Sequence, residues 1–519
     1  MKYGFLENAV FYEVYPTSFY DSDGDGVGDI RGIIQKLDYI SALGANGIWL
    51  NPCFESPFMD GGYDVSDYNN VGKRFGTNAD MKELFDKAKD KGIRIILDLV
   101  MGHTSVRHRW FEESQKDEKN LHTGTYIWKP LGNPAESRDG QFISGMSEKE
   151  AMFRINFYAM QPALNYGYYK PKEHWQDATD ADAPKQNRQR LIDVCKYWLA
   201  MGASGFRVDM ANYMVKNDKG GRGNIAFWNA VIPEIKKDYP DGIFVSEWFN
   251  PKRAVGKSSF DVDFSGGYFM YNIGYGETPE NFSKNTYLGE RSKHFIAGIV
   301  PVYYAIKNTA KKGYAAVTLG NHDRERASLG RSFDQMKAAF AFHLTIPHIP
   351  FIYYGDEVGM SYQNIKTKDG GYKRTGSRTP MQWTNGKNRG FSAADTDKIY
   401  LPTEADAQRC VEAQSGADAS LLETVKKLAG LKRTLKALRV ESPFKVMSIN
   451  LSGNPFIYKR VSDTDEVITI LCPKKEEKTF GIRRLGDLSR YEIISNNIEF
   501  KDGKAVSKGE GFAVLYRSK

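Results

Sequence analysis

Gly205-Phe206-Arg207-Val208-Asp209 opens on glycine, sets a guanidinium among apolar residues and ends on a carboxylate. A run that short and that apolar reads as a buried strand with its charge at the C-terminal end. Three more stretches share this grammar. The first runs from Ile93 through Asp98-Leu99-Val100-Met101-Gly102-His103. The others are Phe244-Val245-Ser246-Glu247-Trp248 and Leu319-Gly320-Asn321-His322-Asp323.

Working outward, the β-rich segments are Val10–Tyr15, Gly47–Leu50, Ile93–Val100, Gly205–Val208, Ile243–Glu247, Phe260–Phe264, Ala315–Leu319 and Pro350–Tyr354. Eight strands alternating with helical stretches predict a (β/α)8 TIM barrel within an α/β fold. In that architecture, side chains at the C-terminal strand ends converge on one mouth, so the four charged endings belong to one place. Between the third and fourth strands, residues 104–188 are too many for a plain loop and are rich in Trp, Tyr, Asn and Gly. They predict an inserted subdomain over the mouth. The barrel then comprises residues 1–103 and 189–437. Beyond it, Phe456–Arg460, Glu466–Leu471, Arg490–Ser495 and Gly511–Tyr516 alternate between turn residues, so 438–519 reads as an antiparallel β-domain, a β-sandwich.

Composition narrows the function classes. The chain has 519 residues, 41% of them hydrophobic, and Lys plus Arg exceed Asp plus Glu by 72 − 64 = +8. Its basic residues are scattered apart from short pairs such as Lys474-Lys475 and Lys311-Lys312, which argues against a nucleic-acid surface. Met1-Lys2-Tyr3-Gly4-Phe5-Leu6-Glu7 carries no apolar run of signal length, so cytoplasmic residence is the default expectation. The longest apolar stretch, Met336 to Tyr354, is broken by His343, Pro347, His348 and Pro350 and reads as a barrel helix entering a strand, not a membrane span. Cys53, Cys195, Cys410 and Cys472 form no CxxC pair and read as buried thiols.

Acids and histidines at strand ends, with no Cys/His metal spacing, suit glycoside hydrolysis. That reaction needs one carboxylate as nucleophile and another as proton donor. Arg207 shares a strand face with Asp209 and would hold it ionised. Glu247, at the end of an apolar strand and before Trp248, has a setting that keeps a proton. Each such carboxylate could also be only a helix cap or loop brace.

Taken together, these strand ends resemble the α-amylase superfamily of retaining glycoside hydrolases. The resemblance extends to Val10-Phe11-Tyr12-Glu13-Val14-Tyr15-Pro16, Gly47-Ile48-Trp49-Leu50-Asn51-Pro52, Gly62-Tyr63-Asp64-Val65-Ser66-Asp67-Tyr68 and Arg378-Thr379-Pro380-Met381-Gln382-Trp383. It implies Asp209 as nucleophile, Glu247 as general acid then base, and Asp323 as a third carboxylate gripping sugar hydroxyls. His103 and His322 would hydrogen-bond the same sugar and Tyr63 would stack on it, with a core-packing tyrosine as the alternative. Asp60 would contact the terminal sugar, and Asp64 would support Tyr63 and Arg207. Gln161 opens Gln161-Pro162-Ala163-Leu164-Asn165, which resembles the QPDLN signature of the oligo-1,6-glucosidase and trehalose synthase branch, with Ala163 in place of Asp.

Asp21-Ser22-Asp23-Gly24-Asp25-Gly26-Val27-Gly28-Asp29 puts oxygen ligands at alternate positions around a turn, as a hard cation needs. The resemblance implies a structural Ca2+ or Mg2+ held by Asp21, Asp23, Asp25, Val27 and Asp29. An Asx-turn loop without metal is the other reading. No organic cofactor is implied.

Departures from the family pattern point to short substrates. Starch-cleaving members carry a calcium-ligating Asn where this chain has Gly102, and Lys-His where it has Asn212-Tyr213. Met210, after the nucleophile, matches neither the Val of α-1,6-selective members nor the Thr of α-1,4-selective ones, so linkage stays open. The leading expectation is a retaining α-glucosidase acting on a disaccharide or short oligosaccharide. A transglucosidase or isomerase such as trehalose synthase is the alternative, and an endo-acting α-amylase or a non-catalytic binding protein are lesser ones.

Overall fold

The computed structural model describes residues 4–132, 141–145, 147–265, 313–449 and 454–519. The Lys311-Lys312 pair and the start of the N-terminal stretch lie outside them. Eight parallel strands form the barrel: β1 (Phe11–Val14), β2 (Gly47–Leu50), β3 (Arg94–Leu99), β4 (Gly205–Val208), β5 (Ile243–Ser246), β6 (Val262–Phe264), β7 (Tyr314–Thr318) and β8 (Ile349–Tyr353). They close in the order β1-β8-β7-β6-β5-β4-β3-β2. Successive side chains alternate between the barrel interior and the helix-facing side. Phe11, Trp49, Ile96, Val245, Phe264 and Phe351 fill the interior, and Phe11 stacks on Phe351 with centroids 4.5 Å apart. Above that apolar plug, the next inward positions carry charge. In the β3–β4 register, Asp98 lies directly beside Arg207.

Local chemistry explains the flanking helices. Helix α1 (Asn78–Asp90) begins at a reciprocal Thr77–Asp80 capping box and buries Met81, Leu84, Phe85 and Ala88 along one stripe. Helices α2 (Asp182–Met201) and α3 (Arg222–Asp238) follow the insertion and β4. Helix α4 (Phe333–Thr345), capped by Ser332 and Gln335, is buried nearly all round because it is covered twice, by the helix Leu421–Thr434 and by the C-terminal sheet.

Within the insertion, Trp128–Pro130, Ala151–Arg154 and Phe142–Ile143 form a small antiparallel sheet with Ala151–Arg154 at its centre. The segment Gln161–Asn165 threads between that sheet and the end of β3. Ala163 N–H donates to Arg154 O at 2.8 Å, and Leu164 N–H to Gly102 O at 3.2 Å.

The C-terminal strands are β9 (Phe444–Ile449), β10 (Phe456–Val461), β11 (Asp465–Cys472), β12 (Lys478–Gly481), β13 (Glu492–Lys501) and β14 (Lys504–Ser518). Where a sandwich is expected, they make one antiparallel sheet, ordered β9-β10-β11-β14-β12, with β13 on β14. The fifteen-residue β14 is the reason: it is long enough to pair with β11, β12 and β13 at once. One face packs on α4, where the Thr345 and Tyr458 hydroxyls meet at 2.6 Å, and the other encloses Ile468, Ile470, Ile498 and Leu515. All four cysteines are buried and free. Among the described residues, no helix is long and apolar enough to cross a membrane.

Candidate active site

Strands β4 and β5 end side by side, and their terminal carboxyls share one guanidinium. Arg207 Nη1 lies 2.8 Å from Asp98 Oδ1 and 2.9 Å from Asp209 Oδ1, while Nη2 lies 2.9 Å from Glu247 Oε2. The side chain is buried, over the Trp49 ring at 5.0 Å. Arg207, expected to hold Asp209, divides its planar fork among three acids. Burial pushes Asp209's carboxyl well above its usual value, Glu247 adds to the rise, and Arg207 opposes it.

Backbone geometry contributes too. Met210 has φ 47°, left-handed for a non-glycine residue, and this turns its N–H onto Glu247 Oε2 at 3.1 Å. A residue held there costs about 1–3 kcal/mol, so the packing around β4 must impose it. Behind Glu247, Asp263 of β6 accepts from Ser246 Oγ at 2.5 Å and from the N–H groups of Trp248 and Asn250, which fixes the turn after β5.

Asp323 ends the β7 segment opposite this pair. Arg374 Nη1 and Arg378 Nη2 each lie 3.1 Å from its Oδ1, and His322 Nε2 lies 3.4 Å from its Oδ2. Burial alone would raise this carboxyl; His322, Arg374 and Arg378 outweigh it and hold it well below the usual range. Arg374 also reaches Asp60 Oδ1 at 2.7 Å, and Asp60 Oδ2 accepts from Gln161 Nε2 at 2.8 Å. An Asp60–Arg374–Asp323 bridge thus spans one side of the pocket.

Tyr63 stands parallel to the His322 ring, centroids 5.3 Å apart, and its hydroxyl donates to Asp98 Oδ2 at 2.8 Å. His103 Nε2 meets Tyr63 O at 2.8 Å, and burial pulls its imidazole down to about 4. The residues lining the resulting cavity of about 220 Å³ include Asp60, Tyr63, His103, Gln161, Asp209, Glu247 and Asp323. Arg207 and His322 form the layer beneath, bonded to the lining side chains. Phe157, Tyr213, Phe249 and Tyr372 leave aromatic surface exposed, and Phe157 and Phe249 also line the cavity.

Asp64 departs from its expected role. Its carboxylate accepts from Ser56 Oγ and from the backbone N–H groups of Met59 and Asp60, all at 3.0 Å, so it braces the loop that carries Asp60. The support of Tyr63 and Arg207 falls to Asp98 instead, because Asp98 points inward from β3 while Asp64 lies on a loop that closes on itself.

Several site residues carry no sequence signal of their own. Arg374 lies 51 positions after Asp323 and 314 after Asp60, in a short 3-10 turn. Lys216 is buried and donates to Tyr213 O at 2.6 Å and to Asn156 Oδ1 at 3.2 Å. The Asn156 amide continues to Gly102 O at 2.9 Å and His103 Nδ1 at 3.1 Å. One buried lysine, its amine pushed down by burial, thus ties the insertion to the ends of β3 and β4 beside Gly102.

In the aspartate-rich loop, ligand oxygens of Asp21, Asp23 and Asp29 lie within 4.8 Å of one another. Three hard carboxylate oxygens that close suit a divalent cation. Asp25 is not brought into this group; its Oδ1 accepts from Val27 N–H at 2.8 Å, and Val27 has only a main-chain oxygen to offer. Asx-type bonds also close the loop, and Asp29 caps the helix Ile30–Gln35.

With this geometry in view, the family described as alpha amylase, catalytic domain, matches residues 13–441. The trehalose synthase/amylase TreS of Mycolicibacterium smegmatis is 30% identical over 484 residues, spanning 84% of this chain and 77% of that protein. The oligo-1,6-glucosidase of Parageobacillus thermoglucosidasius is 28% identical over 570 residues, spanning 97% and 96%. The solved trehalulose synthase MutB from Pseudomonas mesoacidophila MX-45 superposes with a TM-score of 0.82 at 23% identity, covering 99% of each chain.

Proposed function

The chain belongs to the alpha-amylase family, and on that premise we propose that it is a retaining α-glucosidase acting on short α-glucosides. The observation that carries this reading is the placing of Asp209 and Glu247 on the two arms of one buried guanidinium. Asp209 attacks the anomeric carbon and forms a glucosyl ester, while Glu247 gives its proton to the departing oxygen. Glu247, now ionised, takes a proton from water, and the hydroxide oxygen displaces Asp209. Arg207 keeps both groups in place as charge passes between them. Asp323 and His103 hold the sugar's hydroxyls, with Tyr63 against its face and His322 supporting Tyr63 and Asp323 from beneath. The Asp60–Arg374–Asp323 bridge favours a terminal glucosyl unit over the middle of a long chain.

A second reading has its own support. Where a sugar hydroxyl replaces water, the same residues perform transfer or isomerisation, and the similarity to trehalose synthase/amylase TreS favours that outcome. Incubation with maltose, isomaltose, sucrose and trehalose, with products separated, decides between them. Free glucose from at least one is expected, and only rearranged disaccharide would overturn hydrolysis. We also propose Ca2+ or Mg2+ at Asp21, Asp23 and Asp29, where the cation would brace the loop between β1 and the helix Ile30–Gln35.

A further inference from the structure

Glu13 is fully buried on β1 and takes no step in the reaction above, yet it points at the pocket from behind. Its Oε1 lies 2.6 Å from Nδ1 of His322 and 3.4 Å from the His322 backbone N–H. A carboxylate so enclosed is costly unless a cation faces it. Across the ring, His322 Nε2 lies 2.6 Å from the Tyr63 hydroxyl.

The direction of each proton in this chain follows from the partners. Asp98 is an acceptor that already takes Arg207 Nη1–H at 2.8 Å and Trp49 Nε1–H at 3.2 Å, so Tyr63's single proton goes to it. Tyr63's oxygen must then accept at its other contact, and the donor there is His322 Nε2–H. At Nδ1 the ring faces the Glu13 carboxyl at 2.6 Å; burial raises that carboxyl while His322 opposes the rise, so one proton lies between the two groups.

We propose that Glu13 is a positioning residue that keeps His322 an imidazolium, with Nδ1–H committed to Glu13 and Nε2–H held to Tyr63 and Asp323, the residues that meet the sugar. The part concerning the sugar rests on the α-glucosidase reading; the charge state of the ring does not. Other charges face the junction from every side: Asp323 on the same segment, Arg374 and Arg378 next to Asp323, Asp98 with Arg207 behind Tyr63, and Asp356 behind Glu13. Asn51 Nδ2 lies 3.2 Å from Nδ1 and adds no charge. Burial pulls the imidazole down, but Asp323 and Glu13 together push it up to about 9. The sign is clear: the ring is charged through neutral pH and loses its proton only as pH rises through that value.

Glu13→Gln is nearly the same size and removes the charge. A Gln facing Nδ1 satisfies a neutral ring, so His322 titrates lower, with Asp323 alone still holding its proton. The test is ring-nitrogen NMR on the full chain across pH 6–10; the chain has eight histidines, and the signal missing from H322N is that of His322. In the unsubstituted protein, His322 is expected to be doubly protonated at pH 7.5 and to titrate near 9. In E13Q its titration is expected to move down from there towards neutrality. E13Q should also lower kcat/KM on the best α-glucoside on the order of tenfold and move the alkaline limb of the profile towards neutrality. A neutral His322 at pH 7.5 in the unsubstituted protein overturns the proposal and needs no variant. A titration that does not move in E13Q overturns it equally. Absence of turnover on every α-glucoside would instead defeat the functional reading and leave the titration standing.

Discussion

Arg207 shows how much one side chain determines at this site: it touches Asp98, Asp209 and Glu247 within 2.9 Å and is shielded from water. The pattern of inward positions on β4 and β5 made Arg207, Asp209 and Glu247 legible in sequence, because strand alternation fixes which residues face the barrel axis. Glu13 obeys the same alternation, two residues after the inward Phe11. It is quoted within a motif, but its sequence position says nothing of the ring it meets 309 residues later. Lys216 was invisible for a related reason, since its partners Asn156 and Tyr213 lie in loops whose paths only the folded chain defines. Lys216→Met should leave Tyr213 O and Asn156 Oδ1 without their donor, at a cost of about 1–3 kcal/mol in denaturant titration. Because Asn156 also holds His103, KM should rise more than kcat falls. An unchanged KM with unchanged stability would show that the lysine holds nothing.

At the scale of elements, all eight barrel segments were read within about two residues of their observed limits, since buried parallel strands are short continuous apolar runs. The C-terminal sheet was harder. β9 and β12 were not recognised, and one long β14 replaced the expected pair of facing sheets, because pairing partners leave little trace in local pattern. The aspartate-rich loop was legible as a ligand pattern, but which side chains converge was not: Asp25 bonds its own loop while Asp21, Asp23 and Asp29 cluster. With a divalent cation there, chelation should lower Tm, and calcium or magnesium should restore it. At a concentration a hundred times the Kd, binding contributes about 2.7 kcal/mol. D21N should start from the lower Tm and ignore the chelator; a Tm indifferent to chelator and to both cations would argue for a loop closed by its Asx turns alone.

For the molecule as a whole, the barrel supplies converging strand ends, the insertion supplies Asn156, Tyr158 and Gln161 above them, and the turn after β8 supplies Arg374. The first was readable from eight strands and their endings. The enclosure was not, because a pocket wall made from three distant segments has no local signature. That enclosure frames the chemistry proposed for Asp209 and Glu247, and its stereochemistry is the sharpest consequence. Two displacements at the anomeric carbon return the original configuration, whereas a single attack by water inverts it. The deciding measurement is proton NMR of the first sugar released from p-nitrophenyl α-glucoside, recorded before the anomers interconvert. Asp209 acting as nucleophile predicts α-glucose, or an α-glucosyl product when an alcohol is the acceptor. Initial release of β-glucose would contradict the double displacement and with it the roles assigned to Asp209 and Glu247.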